Sequence, residues 1–154
     1  MNKVVFLADH PEVISILVQW ALAWAPEYYG GRTVEDIAGD FQRESQKTGI
    51  PIRLVAFLDG ELAGMVCLRE MALQGHPEYS PVLGGLYVPA SMRNRGVATA
   101  LVRAVMDLAK EEGYQCVYTS TATAKGIMER LGWQPVQTVR EEQRELMVYV
   151  YEIM

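Results

Sequence analysis

Hydrophobic positions along this chain recur with two periods, and the switches between those periods lay out its elements. Short apolar or alternating runs mark strands, while apolar residues three and four apart mark helices. Val4–Ala8 reads as a first strand. Asp9-His10-Pro11-Glu12 then predicts a helix start with Asp9 as cap and Glu12 three residues on; His10 is simplest as a surface residue of that cap. Ile14, Leu17, Val18, Ala21 and Leu22 give this helix one buried face. Thr33 and Asp36 predict the cap of a second helix reaching Gln46, with Ile37, Ala38 and Phe41 inward. Arg53–Leu58 and Glu61–Arg69 are apolar runs joined by Asp59-Gly60, a strong hairpin signal.

A polar connection, Glu70–Pro81, leads to a short apolar run, Val82–Val88, closed by Pro89, which cannot donate to a sheet ladder. From Val97 the residues Leu101, Ala104, Val105 and Leu108 continue at helical spacing, with Thr99, Arg103, Asp107 and Lys110 opposite and Gly113 at the stop. Gln115–Ser120 reads as a strand, Thr121–Leu131 as a short helix closed by Gly132, and Trp133–Thr138 as a further strand. Arg140–Glu145 is a polar turn, and Leu146–Ile153 is a last strand alternating enough to pair at an edge. The predicted order is one strand, two helices, three strands, a helix, a strand, a helix and two strands.

Composition narrows the class. The chain has 154 residues, half of them hydrophobic, which is enough for one domain over residues 1–154 with a full core. Apolar runs fall well short of a membrane span, and Met1-Asn2-Lys3 lacks the pattern of a signal peptide, so a cytoplasmic protein is expected, with no membrane partner. Cys67 and Cys116 lie in apolar runs without a second Cys or His at ligand spacing, which predicts buried thiols rather than a metal site. A net charge of −5 argues against a nucleic-acid surface and suits a cationic substrate.

The chemistry concentrates at Arg93-Asn94-Arg95-Gly96-Val97-Ala98, between the strand closed by Pro89 and the helix from Val97. Gly96 and Ala98 leave the first amides of that helix accessible, and the positive end of its dipole adds to them, so the turn is a candidate anion site. It carries neither the Gly-Lys-Ser/Thr of a Walker loop nor the three glycines of a dinucleotide fingerprint. Its Arg-x-x-Gly-x-Ala spacing resembles the acetyl-CoA-binding motif of the GCN5-related N-acetyltransferase (GNAT) superfamily, Arg/Gln-x-x-Gly-x-Gly/Ala. Further on, Ala124-Lys125-Gly126-Ile127-Met128-Glu129-Arg130-Leu131-Gly132-Trp133 is similar to that family's Ala-x-x-Phe-Tyr-Glu-x-Leu-Gly-Phe. The order of elements agrees over essentially the whole chain.

The resemblance implies an α/β (α+β) fold: a mixed, mostly antiparallel sheet of about seven strands with a V-shaped splay, flanked by about four helices. It implies acetyl-CoA as co-substrate and no metal. The pantetheine arm would pair with backbone near Leu86, Tyr87 and Val88. The pyrophosphate would rest on the turn of Arg93, Asn94, Arg95, Gly96, Val97, Ala98 and Thr99, with Lys125 within reach of the phosphates. The Val88 amide would donate to the thioester carbonyl as it gains charge. Glu70 is the first candidate base, followed by Glu78 and His76. Met128 stands where many relatives carry a tyrosine that protonates the leaving thiolate, which leaves Tyr118 as the nearest candidate acid; a coenzyme thiol, with a pKa of roughly 8.5, can also take its proton from solvent.

Trp24, Tyr28, Tyr29 and Glu78 are candidate acceptor contacts, although Trp20 and Trp24, four apart, read equally well as core. The implied acceptor is a primary amine of a small molecule, peptide or protein, and the aromatic and acidic residues suit a cationic one. A homodimer paired through the last strands is also compatible with the resemblance. The alternative function is a non-catalytic acyl-CoA-binding or sensing domain of the same fold.

Overall fold

Most strands and helices form near where the two hydrophobic periods place them, although the first strand, expected at Val4–Ala8, ends at Phe6, and the helix expected from Thr121 starts at Lys125. The computed structural model describes residues 2–70, 75–141 and 143–153, with Glu27 and Tyr28 described in backbone alone. The strands are β1 (Asn2–Phe6), β2 (Ile52–Leu58), β3 (Glu61–Arg69), β4 (Val82–Tyr87), β5 (Cys116–Thr121), β6 (Gln134–Glu141) and β7 (Arg144–Glu152). The helices are α1 (Ile14–Trp24), α2 (Pro26–Tyr29), α3 (Val34–Arg43), α4 (Val97–Glu111) and α5 (Lys125–Arg130).

Local chemistry explains most boundaries. The Thr33 hydroxyl accepts the Asp36 amide at 3.0 Å and starts α3 as expected. Asp59 and Gly60 both hold left-handed φ values, 51° and 89°, which is what a two-residue turn matched to strand twist requires. The first helix begins later than its sequence suggests. Two 3-10 turns, Leu7–Asp9 and Pro11–Val13, precede α1, because Pro11 opens the second turn and His10 between them is not helical. Asp9 caps nothing; it pairs with Lys47 at 2.6 Å, while Glu12 meets His10 at 3.0 Å. Helix α3 ends at Arg43 rather than Gln46, where Glu44 turns back toward Arg53.

The sheet order is β1-β2-β3-β4-β5-β7-β6, with β4 parallel to β5 and the other pairings antiparallel. The last strand is therefore interior, and β6 forms the edge. The alternation of β7 buries both faces, Leu146 and Val148 on one and Tyr149 on the other, whereas β6 is mostly exposed and carries Pro135. Cys67 is buried as expected, but Cys116 is only half-buried.

Each face of the sheet has its own core. On one, Val55 and Met65 pack with Leu7, Leu17, Val18, Ala21, Ile37 and Phe41 beneath α1 and α3. On the other, Leu54, Val66, Leu83 and Val117 pack with Val97, Leu101, Val105 and Met128 of α4 and α5. Helix α4 sits close because β3 carries Gly64 beneath it: a Cβ there would lie 2.9 Å from Leu101 Cδ1 and 3.1 Å from Val97 Cγ1. That close approach fixes the N-terminus of α4 against the end of β4. Among the described residues, no helix is long and apolar enough to cross a membrane, and no His, Cys, Asp and Glu cluster could hold a metal ion.

Candidate active site

Strands β4 and β5 pair at one position, Val82 with Tyr118, and then part. Two hydrogen bonds pin the apex: the Tyr118 amide donates to Pro81 O at 2.9 Å, and the buried Thr119 hydroxyl donates to Leu83 O at 2.8 Å. Beyond Leu83 the two strands share no ladder. On its other side β4 takes three steps, Gly84 to Tyr87, while β3 takes two, Cys67 to Met65, so β4 carries a bulge. Gly85, at φ 61°, supplies the left-handed residue such a bulge favours. The bulge turns β4 away from β5 and leaves an open slot edged with unpaired backbone.

The basic turn closes the far end of this slot. Asn94 and Gly96 both adopt left-handed φ, 63° and 79°, so the chain doubles back before α4. Gly96 is the N-cap and makes no side-chain cap bond, and the first helical bond runs from Ala100 N to Gly96 O at 3.0 Å. The amides of Val97, Ala98 and Thr99 are therefore unused by the helix and aligned with its dipole. Val97 contributes its amide alone, since its side chain is in the core. Arg95 O is tied to Asn2 Nδ2 at 3.1 Å, and Arg93 Nε donates to Val88 O at 3.0 Å. Arg93 thus braces the Val88–Pro89 peptide as well as adding charge. Leu86 and Val88 turn their side chains onto the core, leaving backbone toward the slot, and Lys125 is exposed at the start of α5.

The face under α1 and α3 holds the remaining candidates, in two aromatic groups. Tyr87 packs against Trp20 and Trp24, ring centroids 5.5 and 5.4 Å apart, and Trp24 remains 45% exposed. Across the slot, Tyr118 meets Tyr79 at 5.2 Å, and Tyr79 stacks on His76 at 5.3 Å. Burial, followed by the neighbouring Cys116 thiol, raises the Tyr118 phenol above its usual range, so it stays protonated near neutrality. Glu78 is exposed and bonded to His76 at 3.2 Å; its own backbone amide and that histidine lower its carboxyl pKa, which weakens it as a base. Glu70 is exposed at the end of β3, and Tyr28 has its side chain outside the described residues. Met128 is 1% exposed, a core thioether rather than a group facing the slot.

A cleft of about 540 Å3 opens on this same face, lined by Tyr29, Phe41, Glu44, Arg53 and Arg69 among others. Arg53 and Glu44 form a buried ion pair, with Nη2 and Nε at 2.9 and 3.0 Å from one carboxylate oxygen, and the guanidinium lies 5.0 Å over the Phe41 ring. Cys67 Sγ lies 3.7 Å from the other Glu44 oxygen; burial pushes this thiol up to about 11, which makes it a poor nucleophile. None of these partners was foreseen from the sequence. A lone arginine inside an apolar strand, as at Arg53 in β2, was the available signal, because such a charge needs a partner from another element.

Comparisons with known proteins agree with this geometry. An N-acetyltransferase from Staphylococcus aureus Mu50 superposes with a TM-score of 0.76 at 15% identity, covering 100% of this chain and 99% of its own. The yncA protein of Salmonella typhimurium, solved with acetyl-CoA, gives 0.75 at 11% identity, covering 99% and 94%. An aminoglycoside 6'-N-acetyltransferase complexed with coenzyme A gives 0.75 at 16% identity, covering 100% and 97%. No curated protein matches the chain in sequence. At these identities the structures establish the fold, and the family follows from the sequence itself: the model of the Acetyltransferase (GNAT) family matches residues 17–133, and the chain belongs to that family.

Proposed function

We propose that this protein transfers the acetyl group of acetyl-CoA to a primary amine. The observation that carries the reading is the slot between β4 and β5, which leads from paired backbone at Val82 to the uncapped amides of α4. An extended pantetheine arm matches the unpaired edge of β4, and a pyrophosphate matches the amides of Val97, Ala98 and Thr99. Gly96 has room for it: a Cβ there would meet nothing closer than Asn2 Nδ2 at 3.5 Å.

In the transfer, the amine nitrogen attacks the thioester carbon, a C–N bond forms, the C–S bond breaks, and the amine's extra proton leaves to a base or to water. The Val88 amide is the donor we assign to the developing oxyanion, and Arg93 braces the next peptide by donating to Val88 O. With Met128 committed to the core, Tyr118 and solvent are the proton sources for the thiolate. Glu70 remains the candidate base by position. Trp24 and Tyr29 wall the acceptor side.

The test is a thermal shift with acetyl-CoA beside a Gly96→Glu variant. Ligand at 100 times its dissociation constant stabilises by about 2.7 kcal/mol, which for a domain of this size raises Tm by roughly 5–10 °C. Glutamate at a left-handed position lowers the variant's own Tm, so the quantity compared is the ligand-induced rise, expected to vanish in Gly96→Glu. Equal rises in both proteins would overturn the phosphate site. Amine-dependent release of coenzyme A then separates transfer from a protein that only binds the thioester.

A further inference from the structure

Charge in the cleft does not balance at one residue. Arg53 is matched by Glu44 at 2.9 Å, and Arg32 and Arg43 both reach Asp40, the first at 2.8 Å. Arg69, which lines the same cleft, has no carboxylate partner among the described residues, and its Nε is fully buried without a hydrogen bond. A buried guanidinium N–H left unpaired is costly, and proteins keep such groups where something else supplies the acceptor.

The backbone around Arg69 is shaped for it. Gly84 does not have a left-handed φ, so no turn demands a glycine there. Its missing side chain serves as space: a Cβ would lie 2.6 Å from Arg69 Nη2, 2.7 Å from Nε and 2.8 Å from Cζ. The guanidinium lies flat on the bare strand. Sheet register then places it beside the slot, because Arg69 pairs with Val82 and Val82 pairs with Tyr118. Arg69, Val82 and Tyr118 form one row across the apex of the fork on the acceptor face.

We propose that Arg69 anchors a carboxylate of the acceptor, so that the substrate class is an amine that also bears an acidic group. A guanidinium presents paired N–H donors that match the two oxygens of a carboxylate. Val88 lies four residues beyond Gly84, just past the end of β4, up to about 13 Å away along an extended chain. Anchor and reacting amine are therefore separated by several bonds and do not share one carbon. The net negative charge of the chain points to a cationic acceptor, and the amine meets that expectation while Arg69 holds the other end. The amine half of this statement rests on the acetyltransferase reading; the anion site stands without it.

The experiment uses linear ω-amino carboxylates of graded length beside their primary amides. Binding is measured first without acetyl-CoA, by calorimetry on the full chain. Carboxylates are expected to bind about 10- to 100-fold more tightly than the matched amides, the worth of a charge-assisted hydrogen bond. That preference should disappear in Arg69→Gln. It should also weaken in Gly84→Ala, which keeps the charge but pushes the flexible guanidinium off the strand. Tm of Arg69→Gln should hold or rise, because no protein partner is lost. With acetyl-CoA present, the preference should appear in KM rather than kcat.

Equal binding of acids and amides at every length would overturn the proposal, as would a loss in Arg69→Gln that affects both alike. Carboxylate preference without any response to acetyl-CoA would leave the anchor in place and remove the acetyltransferase reading instead.

Discussion

The turn before α4 and the cleft under α3 are the surfaces to which we assign recognition, and they are built by opposite means. The turn is local and made of backbone: seven consecutive residues, Arg93 to Thr99, two of them left-handed, present three amides that the helix leaves free. The cleft is assembled from side chains on α3, β2, β3 and the space left by β4, with Glu44 reaching Arg53 across nine positions and Arg69 lying over Gly84 fifteen positions away. A surface of the first kind tolerates change in its side chains, apart from the glycine. One of the second kind depends on each partner.

The largest expected effect tests that dependence. Arg53 and Glu44 have side chains only 4% and 13% exposed, so Arg53→Met would leave a nearly buried carboxylate without its cation. Breaking such a pair costs about 3–5 kcal/mol, read as a lower urea midpoint at unchanged m. The double variant Arg53→Met with Glu44→Leu should recover most of that loss, since an apolar pair of similar volume carries no desolvation cost. If the single variant is as stable as the parent, the ion pair does not hold the cleft, and the contrast with the turn fails.

That contrast also governs what could be read from the sequence. The hairpin, the cap at Thr33 and the tight turn before α4 were legible because each is set within a few residues by torsional preference and free hydrogen-bonding groups. The slot itself was partly legible: Gly84 and Gly85 mark irregular pairing, and the fork does open beyond Leu83. What each glycine does is set by distant residues: Gly84 makes room for Arg69, and Gly85 takes a left-handed bulge with Arg53 Nη1 beside it. The placement of β7 inside β6 and the pairing of Glu44 with Arg53 depend on contacts between distant elements. Periodicity reports which face of a strand is buried, and it does not report its neighbour.

Thr119 lies between the two regimes, a strand residue predicted as such whose hydroxyl seals the apex of the fork. Thr119→Val keeps the shape and removes the donor to Leu83 O, leaving that buried carbonyl unpaired. A cost of about 1–2 kcal/mol is expected, with a weaker acetyl-CoA-induced rise in Tm as the slot loses its fixed end. Lost stability with an undiminished ligand response would show that the hydroxyl braces the sheet without shaping the slot.

The smallest effect concerns a motif residue whose partner lies outside the motif. Glu129 belongs to the stretch that resembles the family's last helix, and it accepts the Tyr149 hydroxyl at 2.7 Å, tying α5 to β7. Burial, and then this bond, push the Tyr149 phenol up to about 12 from its usual 10. A phenol at that value is a poor acid for the thiolate, and its hydroxyl is already committed to Glu129. Between pH 10 and about 12 the unfolded chain releases a proton that the folded chain retains, so the folded state loses stability as pH rises through that window. Tyr149→Phe removes the contribution. It should cost about 1 kcal/mol at neutral pH and flatten the alkaline decline measured by urea unfolding, with acetyl transfer at neutral pH unchanged. A variant that keeps the full alkaline slope would assign it to another group, and one that loses transfer would put Tyr149 into the chemistry.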